Sequence, residues 1–236
     1  MNSVKQVLGE LEQKGSEKTR KTYARHGVQE PMFGVSISDL KTIAKQIKGD
    51  QALACELYDT GNYDAMYLAG IVADGTQMSK KQLQAWAKGA TSRTLAAYTV
   101  PWVAAESPHA RELALKWIDS KQESIACCGW NTYAGMVALR PDEELDLAEI
   151  GKLLERVVDQ IGAAPNDVRY TMNGFVIAVG GYVKPLLKQA KAAAKRIGAV
   201  SVDMGETACK VPLATAYLEK IEQAGRVGKK RKTLKC

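Results

Sequence analysis

The sequence predicts an all-α fold of about twelve or thirteen helices, and two of its features lead to this prediction. Apolar residues recur at helical spacing along the chain, most clearly across residues 147–161. Between these stripes, serines occupy the places where helix N-caps belong, and glycines follow the stripes where helices end. Strand-like alternation is nearly absent, with residues 199–202 as the single short candidate. These local signals are typical of short helices joined by short connections.

The helices pair, and the pairs recur along the chain. Helical hairpins begin near Asn62, Ser92, Ser124 and Asn166, at spacings of 30, 32 and 42 residues. This period is typical of a HEAT-like α-solenoid, a superhelix in which each helical pair buries its apolar face by stacking on the next. An irregular helical bundle is the alternative that the spacing leaves open.

The composition is that of an ordinary globular protein, with 46% apolar and 25% charged residues among 236. No apolar run approaches the 18 or so residues of a membrane span, and the first residues carry alternating charge rather than an apolar leader. We therefore expect a cytoplasmic monomer with no membrane association. The five cysteines include no CxxC pair, and no nucleotide fingerprint is present, so neither a metal nor a cofactor is expected.

The positive charge is concentrated at the C-terminus. Six of the seven net positive charges come from the last eleven residues, 226–236, which contain no acidic residue. The sequence thus predicts a helical-repeat domain over residues 1–225 and a basic, flexible tail over residues 226–236 that binds DNA phosphates without reading sequence. Truncation after Gly225 is expected to leave the fold intact and to remove most non-specific DNA binding. The alternative is that the tail only aids solubility, or docks on acidic surface of its own chain. The candidate phosphate-binding residues are Lys229, Lys230, Arg231 and Lys232.

The helix that begins at Ser92 carries two aromatic residues on one face. Tyr98 and Trp102 are four residues apart, so they are neighbours on the helix surface. They pack in the core, or they form a platform for a base or sugar with Arg93 nearby for a phosphate. Pro101 lies inside the same segment and predicts a kink or a break there.

The segment Ser124–Leu139 offers a second group of candidates. Trp130 and Asn131 follow three small residues, Cys127 to Gly129, which would let a ligand approach the backbone closely. A close contact between two helices explains the small residues equally well.

A third pair is polar within an apolar segment. Arg169 and Asn173 are four residues apart on one helix face, and both would be costly to bury without partners. A phosphate or a base edge would provide such a partner, as would an internal carboxylate such as Asp203 or Glu206.

Three segments together resemble the AlkD-like DNA alkylation repair family of HEAT-like repeat proteins. They are residues 23–48 (YARHGVQEPMFGVSISDLKTIAKQIK), residues 53–73 (LACELYDTGNYDAMYLAGIVA) and the Val100-Pro101 pair, and the resemblance extends over most of residues 16–225. The resemblance implies a superhelix whose concave face holds duplex DNA and, in active members, the excision of alkylated purines.

Those active members use an aromatic cleft and an Asp within a pattern like W-D-x-V-D-x-I-V-P. When its V-P is matched to Val100-Pro101, Ala97 occupies the position of the catalytic Asp and Arg93 that of the first Trp. The expected basic residue of the next repeat falls near Cys127-Cys128 and so has no counterpart, and Phe175 either corresponds to a second cleft aromatic or belongs to the core. A methyl group cannot stabilise the positive charge that develops as a glycosidic bond breaks, so we expect DNA binding but no excision of alkylpurines at a rate comparable with a family member that has the Asp.

Three functional hypotheses follow from these features. The first is a DNA-binding member of this family with altered or absent base excision. The second is a protein-interaction scaffold, because solenoids present extended concave surfaces. The third is an enzyme acting on a small ligand in a pocket lined by Trp130, Arg169 and Asn173.

Overall fold

The computed structural model describes residues 3–235, which form thirteen α-helices and no strand. This result confirms the predicted all-α class and the number of helices. The helices are α1 (Val4–Lys14), α2 (Glu17–Arg25), α3 (Ile37–Gln46), α4 (Gln51–Asp59), α5 (Tyr63–Val72), α6 (Lys80–Gly89), α7 (Val100–Glu106), α8 (Ala110–Ile118), α9 (Glu123–Leu139), α10 (Leu147–Gln160), α11 (Asn166–Tyr182), α12 (Leu187–Ile197) and α13 (Ala214–Gln223).

From α4 onward the helices are arranged as five consecutive pairs. The second helices of these pairs, α5, α7, α9, α11 and α13, form a central row in which each helix packs on the next. The first helices, α4, α6, α8, α10 and α12, pack beside this row as an outer layer, and α1 and α3 cover α5. This stacking of helical pairs is the predicted HEAT-like superhelix.

The predicted serine N-caps are present at several helix starts. The hydroxyls of Ser3, Ser16, Ser36 and Ser79 each accept a hydrogen bond from a backbone N–H in the first turn of the following helix. Ser107 is an exception, because helix α8 begins three residues later. The Ser107 hydroxyl accepts a hydrogen bond from the His109 N–H, in the turn that precedes α8.

The small residues at the start of α9 serve helix packing. A methyl group added at Gly129 would lie 2.5 Å from the backbone nitrogen of Ile118, and Cys127 and Cys128 are both buried. The close approach of α8 and α9 therefore accounts for this cluster, and no ligand is needed to explain it.

The C-terminal tail follows a defined path along the body. We call residues 228–235 the strap. Its backbone N–H groups at Gly228 and Arg231 donate to the carbonyls of Gly181 on α11 and Ala138 on α9. The side chain of Leu234 lies against Gly135 of α9. The prediction of a flexible tail is thus wrong for these residues, and the alternative, docking on its own chain, describes them.

Within residues 3–235, no helix is long and apolar enough to cross a membrane. The same residues contain no group of three or more His, Cys, Asp or Glu side chains placed to hold a metal ion.

Candidate nucleic-acid interface

A cleft of about 270 Å³ opens between α7, α9 and α11 on the central row. The Tyr98 and Tyr170 hydroxyls are hydrogen-bonded at 3.0 Å across this cleft, and Tyr98 is 38% exposed. Burial of the ring, together with the neighbouring Tyr170, raises the pKa of Tyr98, so its hydroxyl stays neutral at physiological pH. The polar and aromatic lining residues are Tyr98, Trp102, Asn131, Tyr170, Tyr182 and Arg231.

The wall of the cleft at Ala97 has an unusual backbone. Residues Leu95–Thr99 form a π-helical segment directly before α7. Pro101 has no N–H and cannot donate to the Ala97 carbonyl four residues earlier, so the side-chain amide of Asn131 donates to that carbonyl instead. The predicted disturbance at Pro101 is therefore present as a π-bulge, and Asn131 supports the backbone there.

Arg93 is held by an internal partner. Its guanidinium contacts Asp167 Oδ1 at 2.6–2.8 Å and donates to the Asp203 carbonyl at 2.8 Å. Asn166 reinforces the same contact, because its side chain exchanges two hydrogen bonds with the backbone of Asp203. These bonds attach the loop over residues 198–213 to the start of α11, so Arg93 is not the free phosphate ligand that the sequence suggested.

Asn173 holds the far end of the same loop. It is fully buried, and its amide donates to the Pro212 carbonyl at 2.8 Å. Arg169 is half-buried, and its Nε has no hydrogen-bond partner among the described residues. The partner of Asn173 is thus a backbone carbonyl, and neither Asp203 nor Glu206 forms an ion pair with Arg169 in the described structure.

Trp130 and Phe175 belong to the core between α9 and α11. Their exposures are 1% and 0%, and their ring centroids are 5.3 Å apart. Tyr133 contacts Phe175 edge to face at 5.8 Å. Neither Trp130 nor Phe175 lines the cleft, so the prediction that they contact a nucleic acid there is wrong, and both are core residues.

Two lysines of the strap are anchored at helix ends. The Lys230 ammonium donates to the Val137 carbonyl at 2.8 Å and lies 2.7 Å from Asp142. The Lys235 ammonium donates to the carbonyl of Ala73, the C-cap of α5, and forms an ion pair with Glu106 at 2.8 Å. The last carbonyls of a helix lack internal partners and carry partial negative charge, so they attract these cations.

The other cations of this region face solvent. Four of them are exposed, and their side chains form no ion pair with any described residue. Arg231 also lines the aromatic cleft. These four, which we call the exposed strap cations, are Lys229, Arg231 and Lys232 of the strap and Arg226, two residues before it.

Sequence reasoning missed several residues of this cleft. Tyr170 and Tyr182 reach it from α11, and Pro212 from the loop. The excess of tyrosine over phenylalanine, nine against two, was the available signal, since it favours aromatic rings with a hydroxyl at a partly wet surface.

Stacked helical pairs with an aromatic cleft on the central row define a HEAT-like helical-repeat protein. The chain belongs to the DNA alkylation repair enzyme family, whose family model matches residues 7–195. The loop over residues 198–213, α13 and the strap therefore lie beyond the matched region.

Relatives cover nearly the whole chain. Uncharacterized proteins of Listeria innocua and Listeria monocytogenes are each 31% identical over 221 residues, which is 91% of this chain and 95% of theirs. A solved structure that is 39% identical superposes with a TM-score of 0.90 and covers 99% of this chain and 100% of its own. Its protein is described as one of a new family related to the HEAT-like repeat DNA glycosylases with affinity for branched DNA structures.

Proposed function

We propose that this protein binds branched DNA at the aromatic cleft and the exposed strap cations, and does not excise alkylated bases. The observation that carries the proposal is the position of Arg231, which lines the aromatic cleft and is also one of the exposed strap cations. The solved relative with affinity for branched DNA supports the choice of this DNA form.

The two parts of the surface have different roles. The cations bind phosphates irrespective of sequence, so they supply affinity that falls with salt. The cleft is near the small end of the range for ligand pockets, roughly 300–1,000 Å³, and suits a single base or sugar better than a paired helix. Bases at a branch point are less fully stacked than those within a duplex. One such base on the exposed ring of Tyr98 would contribute about 1–3 kcal/mol, whereas Trp102 is buried and forms the cleft wall behind it.

The described lining of the cleft lacks the carboxylate that base excision requires in active family members. None of the residues lining the cleft in the described structure is Asp or Glu, and Ala97 presents a methyl group. The nearby carboxylate of Asp167 is neutralised by Arg93. A developing oxocarbenium charge would thus find no carboxylate in this lining, whereas binding through stacking and phosphates needs none.

Fluorescence anisotropy with a four-way junction, a linear duplex and a single strand over a salt series tests this proposal. We expect the wild type to favour the junction, and replacement of the exposed strap cations by glutamine to lower the log–log salt slope by roughly 3–4. The cation variant carries R226Q, K229Q, R231Q and K232Q, and its charge-matched control carries K81Q, K88Q, K116Q and K152Q on the outer helices.

A second substitution separates stacking from charge. Tyr98→Ala removes the exposed ring without changing the net charge, so it should weaken junction binding about tenfold and leave the salt slope unchanged. Equal affinity of the wild type and the cation variant for the junction, or equal affinity of the wild type for junction and duplex, would show the proposal to be wrong.

A further inference from the structure

A second basic pocket, of about 560 Å³, lies apart from the aromatic cleft. It is formed by the end of α3, the end of α5 and the last residue of the strap, and it shares no lining residue with the cleft. Its cationic wall consists of Lys41, Lys45 and Lys48, which lie on one face of the chain at and just beyond α3. All three are exposed and form no ion pair with a described residue.

The positive charge in this pocket is not balanced from within the protein. Asp74 is the single acidic residue in its lining, and its carboxylate already accepts hydrogen bonds from Gln77 and Thr76. These bonds, with the nearby Lys235, lower the pKa of Asp74. Lys235 is itself paired with Glu106. Lys41, Lys45 and Lys48 have no such partner among the described residues, so their charge remains available to an external anion.

The floor of the pocket is apolar. Ala44, Ile71 and Val72 line it beneath the lysines. In a DNA strand, phosphates alternate with the apolar carbons of deoxyribose. The lysine ammoniums can contact the phosphates, and the apolar floor can contact the sugar carbons. Charge and shape therefore favour a DNA backbone as the occupant.

The strap links this pocket to the cleft. Arg231 lines the cleft and Lys235 lines the lysine pocket, so the two sites are separated by at most about 14 Å of chain. The strap is bonded to α9 at Arg231 and to the C-cap of α5 at Lys235. These two bonds hold the cleft and the lysine pocket in a fixed relation. A DNA with two arms meeting at a branch can present one phosphate backbone to each site.

We propose that the pocket of Lys41, Lys45 and Lys48 binds the phosphate backbone of a second arm when the cleft holds the branch point. This inference rests on the proposed function, and it explains how a helical-repeat surface would prefer a branched DNA to a linear one. The aromatic cleft and the exposed strap cations do not distinguish branched DNA from linear DNA by charge alone, because branched and linear DNA carry the same phosphates.

The test uses the full chain and two charge-matched triple variants. The first carries K41Q, K45Q and K48Q, and the control carries K81Q, K116Q and K152Q on the outer helices. At fixed salt we expect the first variant to bind a four-way junction at least about tenfold more weakly, with a salt slope reduced by roughly 2–3. Its affinity for a linear duplex should stay within about twofold of the wild type, because a linear duplex has no second arm. The control's affinity for both DNAs should also stay within about twofold, because its three lysines line neither the cleft nor the lysine pocket.

The variant K41R, K45R and K48R keeps the charge and should restore junction affinity if phosphates are the ligand. Unchanged junction affinity in the glutamine variant, equal losses on junction and duplex, or failure of the arginine variant to bind the junction would overturn the second-arm proposal. In each of these cases the wild type still binds the junction, so the proposed function survives. A wild type that does not bind the junction would overturn both.

Discussion

The side-chain amide of Asn131 donates a hydrogen bond to the backbone carbonyl of Ala97, joining α9 to the π-helical segment before α7. Pro101 makes this bond necessary, because it removes the N–H that would normally reach that carbonyl. Ala97 is also the position matched to the family's catalytic Asp. The backbone of the candidate site is therefore supported by a side chain from the next helical pair.

Asn131→Ala should destabilise the protein by about 1–3 kcal/mol, because it removes the side-chain donor to the Ala97 carbonyl. In a Pro101→Ala background the restored N–H can bond that carbonyl, so the same substitution should cost less. Chemical denaturation of the wild type, both single variants and the double variant gives the coupling energy. Additive effects would contradict this account of Asn131.

The wild type should release no alkylated purine from duplex DNA under single-turnover conditions, since the cleft lining contains no carboxylate. Ala97→Asp should not restore release by itself, because Arg93 occupies the position of the matched tryptophan. Base release measured beside an active family member that carries the Asp is the check. Release by the wild type at a comparable rate would show that the alignment at position 97 is wrong.

Arg93→Ala should loosen the loop over residues 198–213. The substitution breaks the ion pair with Asp167 and the bond to the Asp203 carbonyl, which together hold the loop on α11. Hydrogen exchange in the loop should become roughly tenfold faster, as expected for a loss of about 1.4 kcal/mol of local stability. Arg111→Ala, which breaks a more exposed pair with Glu149, is the control and should leave exchange in the loop unchanged.

Deletion of residues 226–236 should lower the free energy of unfolding by on the order of 2–4 kcal/mol without abolishing the fold. The loss comes from the packing of Leu234 on α9 and from the two anchored lysines, Lys230 and Lys235. Glutamine at the four exposed strap cations removes charge but keeps these anchors, so that variant should unfold like the wild type. Identical unfolding curves for the deletion and the wild type would mean that the strap does not stabilise the body in solution.

Local patterns in the sequence determined most of the secondary structure. A helix needs an apolar stripe at 3.6-residue spacing and a donor or acceptor at its ends, and both are readable from neighbouring residues, as at the capped start of α6. The resemblance around Val100-Pro101 likewise predicts that Ala97 stands where active family members carry the catalytic Asp.

Tertiary structure alone decided which side chains are free to meet DNA. Trp130 on α9 and Tyr98 in the π-helical segment before α7 are both aromatic, yet Trp130 is buried and Tyr98 is 38% exposed. Arg93 finds its partner 74 residues away, and Lys235 finds the Ala73 carbonyl 162 residues away. Residue spacing carries no information about such distant pairs. Whether a charge is paired within the protein or available to a ligand therefore depends on how the helical pairs stack.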